Sequence, residues 1–263
     1  MYKIGDLWSF NTRDLMRAST CQHCTTVSVA HELGIPEVEA RLAAEIKEQE
    51  ADRLSGKSLT LPMKYGIKYE NQLVEELRAT SGPENVSGPD TEGDIAETIR
   101  LLRAGTPVIY QGGLKHADGI TIFSGRPDLL VRDDWHLVFT PEGLKAEKRP
   151  GTEFTGYTAW DVKFASKAKA EYALQVAIYI EGLEALGMKA QNAKHGIVLG
   201  NRTLVLLSEN EIIPAARLAR AQLVESIERV NADSVVEALR SGQFDWNCAS
   251  EKECAICEYP KLC

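Results

Sequence analysis

No stretch of this sequence carries the roughly 20 consecutive apolar residues that a bilayer-spanning helix needs. The opening residues MYKIGDLWSFNTRDLM also lack the apolar run of a secretory signal. These absences argue against a helical membrane span and make a cytoplasmic protein the expectation. A basic excess is missing too: 30 Lys and Arg stand against 38 Asp and Glu, a formal net charge of -8. That balance argues against a uniformly basic coat for nucleic acid. It leaves room for an acidic site, and for local basic clusters such as Lys163, Lys167 and Lys169 or Lys145, Lys148 and Arg149. Cysteine is absent from the whole interval between Cys24 and Cys248, and there are no internal repeats and no low-complexity tract.

What is present is enough for a core. In 263 residues, 44% are hydrophobic and 26% charged, so the chain does not read as disordered. A chain of this size buries roughly 70–75% of its unfolded surface. GIKYENQLVEELRAT, from Gly66, places Leu73, Val74 and Leu77 on one helical face. A second helix, TEGDIAETIRLLRAG, stops at Gly105. The pattern then changes to short β-forming runs, TPVIYQGGL, GITIFSG and PDLLVRD, with WHLVFT extending or flanking them. KAEKRPGTEFTG reads as a loop and YTAWDVKFA as a strand. KAEYALQVAIYIEGLEALG is the clearest helix, HGIVLGNRTLVLLS holds two strands turning at Asn201, and helix returns from Glu211 to Ser241. This succession predicts an α/β fold with a mixed sheet flanked by helices.

Asp161 and Lys163 lie two apart in a predicted strand and so project from one face. Taken singly, D-x-K also describes a salt-bridged strand edge. Asp128 opens an apolar strand after Gly125 and Pro127, where a carboxylate also caps turns. Glu70, early in its helix, also suits the helix dipole. Gathered together, these carboxylates would repel by roughly 4 kcal/mol per pair at 4 Å in a medium of dielectric about 20. A hard divalent ion, Mg²⁺ or Mn²⁺, would reverse that sign and suit hydrolysis of a phosphodiester. Lys163 would then orient the attacking water or stabilise developing negative charge. Gln175 and Tyr179, spaced i,i+4, share a helical face. They serve either as site residues or as satisfied core polar groups.

In order, GIKYENQL, GRPDLLV, WDVKFA and YALQVAIY resemble the motifs of the RecB-like branch of the PD-(D/E)XK nuclease superfamily, which includes the CRISPR-associated adaptation exonucleases. The resemblance implies a restriction-endonuclease-like sheet and a metal-dependent deoxyribonuclease, an exonuclease acting on single-stranded or frayed DNA ends. It implies metal binding by Glu70, Asp128, Asp161 and the Val162 carbonyl, catalysis by Lys163, and a trailing motif at Gln175 and Tyr179. DNA-processing or CRISPR adaptation proteins are the partners it suggests. Many relatives carry His before the first acid, where this chain has Tyr69. That departure keeps open a non-catalytic nucleic-acid-binding module of the same fold. His116, His136 and His195 are not assigned to replace the missing imidazole.

Cys21, Cys24, Cys254 and Cys257 form two CxxC pairs that would suit a four-thiolate zinc site. Cys254, Cys257 and Cys263 instead have the spacing found in iron-staple nucleases of the same branch, similar also to a RecB-like nuclease group whose opening resembles FNTRDLMRASTCQHC. On that resemblance Cys21 joins the three late cysteines around a 4Fe–4S cluster. The expected organisation is one nuclease domain over 1–263. Its core covers about 66–210, and a helical, cysteine-bearing lobe forms from both chain ends, about 1–60 and 211–263.

Overall fold

A computed structural model describes residues 1–43, 47, 61–191, 193–231 and 233–244. The chain divides into two compact units. One is drawn from Met1–Thr60, Ala117–Ile122 and Arg217–Cys263, the other from Leu61–His116 and Phe123–Ala216. The first unit opens with an antiparallel hairpin, β1 (Tyr2–Ile4) and β2 (Leu7–Phe10), turning at Gly5. Its strands are too short to show a period in the sequence, and only helices were expected here. Helix α1 (Thr12–Thr20) starts at a capping box in which the Asn11 side chain accepts from backbone N–H groups and Asp14 returns the bond. The Asp14 carboxylate is also paired with the N-terminal ammonium at 3.2 Å. Helix α2 (Gln22–Glu32) follows at once.

The second unit begins with α3 (Leu61–Ser81). This helix starts a turn and more before Gly66, the expected start, because Pro62 is tolerated in a first turn. Its buried stripe is Tyr69, Leu73 and Leu77, one residue every four. Next come β3 (Val86–Ser87), α4 (Ile95–Arg103), capped by Asp94, and β4 (Val108–Tyr110). Strands β5 (Leu114–Asp118) and β6 (Thr121–Gly125) follow, their tip residues Ala117–Ile122 belonging to the first unit. Then come β7 (Leu129–Arg132), β8 (Trp135–Thr140), β9 (Gly143–Lys148), β10 (Tyr157–Lys163), α5 (Ala170–Ala185), β11 (His195–Leu199) and β12 (Leu204–Leu207).

Six strands form a mixed sheet in the order β12-β11-β10-β7-β4-β3. Central β10 runs parallel to β11 and antiparallel to β7. On one face Trp160 and Val162 of β10 join Leu129 and Val131 of β7 in a core with Tyr69, Leu73 and Leu77 of α3. The alternate residues Ala159 and Asp161 face the other way, toward α5, whose Val176, Ala177, Ile180 and Leu183 are buried. The fold is thus a mixed α/β one, with several β-sheets flanked by helices.

The expected loop KAEKRPGTEFTG is strand over its first third. Lys145–Lys148 belong to β9, paired with β8 in a two-stranded ribbon. Leu144 and Ala146 of β9 are buried against α3, while polar side chains of α3 occupy the ribbon's backbone groups. Glu76 accepts the Leu144 N–H at 2.8 Å, and Ser81 accepts the Ala146 N–H at 2.8 Å. Thr80 donates to the Leu144 carbonyl at 2.7 Å. A helix thus does the work of a neighbouring strand, which the charged sequence of β9 does not announce.

The chain closes with α6 (Glu209–Asn231), which passes into the first unit at Arg217, and α7 (Asp233–Arg240). In the first unit Arg229 of α6 donates to the Thr26 hydroxyl of α2 at 2.8 Å. Leu223, Ile227 and Val230 are buried there, as are Leu15, Val27 and Val29. Among the described residues no helix is long and apolar enough to cross a membrane.

Candidate active site

Three elements of the second unit deliver acidic groups to the carboxyl end of β10. Asp161 comes from the strand itself, Asp128 from the turn entering β7, and Glu70 from the third turn of α3. Asp161 lies at the bottom, 1% exposed, with the Lys163 ammonium 2.7 Å from its Oδ2. Asp128 and Glu70 are half-buried above it. Asp128 Oδ2 accepts the backbone N–H of Val162 at 2.6 Å, which ties the turn to the strand.

Burial pushes the Asp161 carboxyl up to about 8, helped by the charge of Asp128 and opposed by Lys163. Burial and then Asp128 push Glu70 up to about 7. Asp128 is raised by burial as well, although Lys163 and the Val162 N–H work against the rise. For Lys163, burial pulls down, but Asp161, Asp128 and Glu70 outweigh it and the net direction is up. The lysine is therefore held as an ammonium ion, suited to stabilising negative charge and not to abstracting a proton.

Gln111, which the sequence analysis did not single out, completes the cluster. Its Nε2 donates to Asp128 Oδ1 at 3.2 Å and to Glu70 Oε2 at 3.4 Å. Its backbone N–H donates to the Asp128 carbonyl at 3.0 Å. At φ 53° it occupies the left-handed region, which a residue other than glycine adopts only when its surroundings hold it there. The one available signal was a polar residue ending an apolar strand, ahead of two glycines. Arg126 was missed as well. It pairs with Glu92 on the surface, and its charge favours the ionised forms of Glu70 and Asp128.

Gln175 and Tyr179 lie beside the acids on α5. Gln175 donates to the Tyr179 hydroxyl at 2.7 Å. Burial, then the charges of Asp161 and Asp128, push that phenol well up. Gly125 makes room for the ring: a Cβ there would come within 2.9 Å of it. Tyr69 turns away from Glu70. It is buried in the core, and its hydroxyl donates to the Leu199 carbonyl at 2.7 Å. Of the three histidines left unassigned, His195 is fully buried, where its Nδ1 accepts the Ala159 N–H at 3.0 Å and its Nε2 faces Glu209 at 3.0 Å.

The metal expectations need correction. Among the described residues no group of three or more His, Cys, Asp or Glu side chains is placed to hold a metal ion. The expectation that Glu70, Asp128, Asp161 and the Val162 carbonyl hold Mg²⁺ or Mn²⁺ therefore fails in this arrangement. The physical reason is that other partners already occupy the acids: Lys163 on Asp161, the Val162 N–H and Gln111 on Asp128, and Gln111 on Glu70. Protons retained at raised pKa values relieve the remaining repulsion. The 4Fe–4S cluster and its zinc alternative are corrected on the same finding. Cys21 and Cys24 are buried, and Cys21 serves as the N-cap of α2, its Sγ accepting the Cys24 N–H at 3.4 Å. Cys254, Cys257 and Cys263, the other expected cluster ligands, and Cys248 lie outside the described residues.

Comparison with known proteins finds no matching family model, no matching curated protein and no matching solved structure.

Proposed function

We propose that the second unit is a restriction-endonuclease-like core of the RecB-like PD-(D/E)XK kind, and that it hydrolyses phosphodiester bonds in DNA. The observation that carries this reading is the convergence of Glu70, Asp128, Asp161 and Lys163, from separate elements, at the end of one strand. A lone buried acid would be relieved by a single partner. Three acids around one ammonium ion, half-open to solvent, form a site for a charged substrate.

In this reading the phosphate enters over Lys163. Water adds to phosphorus, its proton passes to Glu70, and Lys163 steadies the charge gathering on the non-bridging oxygens. The bond to the leaving sugar oxygen then breaks; that oxygen is protonated from solvent, to which Glu70 returns the proton it took. Asp161 and Asp128 hold the ammonium in line, and the Gln175–Tyr179 pair walls the far side. Ends of single-stranded or frayed DNA are the proposed substrate.

End-labelled single- and double-stranded DNA, incubated with the full chain in chelator and with added divalent cation, provides the test. Wild type should shorten the label under at least one condition, and Lys163→Ala should lose at least about a hundred-fold of that rate. Full activity in the lysine variant, or DNA binding by folded wild type without cleavage under any condition, would overturn the reading. The second result would favour a binding module.

A further inference from the structure

Two large rings stand in water beside this site. Phe164, the residue after Lys163, is 56% exposed, and Tyr65 of α3 is 50% exposed. They stack with centroids 6.0 Å apart and planes 17° from parallel, and Phe164 leans on buried Tyr69 at 5.7 Å. Rings exposed to this extent leave much of their apolar surface in water. The two short segments that carry them are basic up to the acids that end them, Glu70 and Glu171. Residues 61–69 and 163–170 contain Lys64, Lys68, Lys163, Lys167 and Lys169 and no carboxylate, in a protein of net charge -8. Lys64, Lys68, Lys167 and Lys169 are exposed. Lys163 and Lys169 lie over the Tyr172 ring at 5.5 and 6.0 Å.

We propose that Tyr65 and Phe164 form a base-stacking platform for single-stranded nucleic acid, with the surrounding lysines on its phosphates. Aromatic faces accept any base, while cations follow the backbone without reading sequence. A duplex hides its base faces, so the platform selects unpaired strands and sets them one residue from Lys163. This inference rests on the hydrolase reading for its substrate, but it concerns binding and is measured without cleavage.

The probe is a short fluorescent oligothymidylate, compared by anisotropy with an abasic strand of the same length and charge, in chelator. Wild type should prefer the strand with bases by about ten-fold or more. Tyr65→Ala combined with Phe164→Leu should erase that preference while leaving abasic binding unchanged. Phe164→Trp should keep it, and because the Phe164 ring is exposed, this variant guards against a folding artefact. Equal affinity of wild type for the two strands, or a preference that survives the double substitution, overturns the platform even if DNA is cleaved. A preference lost in the double variant supports the platform even if no cleavage is found, in which case the hydrolase reading alone falls.

Discussion

At the scale of single residues, the site is organised by where protons rest. Asp161 and Glu70 have folded-state pKa values above those of the unfolded chain, about 8 and about 7. At these two groups the native state therefore binds more protons than the unfolded state between about pH 4 and pH 8. The stability these groups contribute is complete below their unfolded values and is lost as pH rises through the folded ones. Asp161→Asn should remove most of that pH-dependent loss and leave a flatter profile of stability against pH. Thermal unfolding across pH checks this, and parallel curves for the two proteins would count against it. His195 works in the opposite direction. Burial lowers it to about 4, so its contribution is present above about pH 6.5 and lost as pH falls toward 4. The variant comparison isolates the acid term because His195 is common to both proteins. If Glu70 receives the proton from water, the cleavage rate should rise with pH and level off above about 7. Glu70→Gln should abolish that rise together with most of the rate, and a pH–rate profile reads both.

Gln111 permits a sharper residue-level expectation. Its amide is the shared donor to Glu70 and Asp128, and hydrogen bonds to a carboxylate favour its ionised form. Gln111→Ala should therefore raise the Glu70 carboxyl above about 7, as measured by NMR titration of that side chain. An unchanged titration would show that the bridge contributes nothing in solution.

At the scale of elements, α3 has two tasks. Its buried stripe anchors the sheet, and its polar edge holds the β8–β9 ribbon. Leu77→Ala should cost about 2–5 kcal/mol of stability. Tyr69→Phe, which leaves the Leu199 carbonyl without its donor, should cost only about 1–2 kcal/mol and should leave DNA cleavage intact, because the hydroxyl points into the core. A large loss of activity in Tyr69→Phe at unchanged stability would contradict that placement.

The same helix illustrates what the sequence could disclose. The spacing of Tyr69, Leu73 and Leu77 is a local pattern, and so is the D-x-K alternation that puts Asp161 and Lys163 together. The ordered strand–helix–strand pattern around α5 made a mixed sheet legible before any coordinates. The β8–β9 ribbon was half hidden because what stabilises β9 is the side chains of a helix more than sixty residues earlier. Gln111 escaped notice because its importance lies in a backbone angle and in two distant acids. The metal expectation failed for a related reason. Charges converging in sequence motifs say that repulsion must be relieved, but not whether a cation, a lysine or a retained proton relieves it.

At the scale of the molecule, net charge and local charge disagree. A chain with pI near 5.3 should be repelled by nucleic acid at long range, so attraction has to be local, and the lysine-bearing segments 61–69 and 163–170 beside the site are where the platform needs it. For about five phosphate contacts on a single strand, the logarithm of affinity should fall against the logarithm of salt with a slope on the order of -3. A slope near zero would show that these lysines do not meet the phosphates.

Strand β10 is gripped on both sides, by β11 in parallel and by β7 antiparallel. Its side chains alternate strictly, so sliding it by one residue would carry Asp161 and Lys163 into the oily core and bring Trp160 and Val162 out into the cleft. A half-shifted site is therefore not a weakened one but an impossible one. Deleting one residue from Tyr157–Val162 should erase the folded protein, whereas removing two restores the alternation. The protein's tolerance of small genetic losses in this strand should thus follow parity more closely than size.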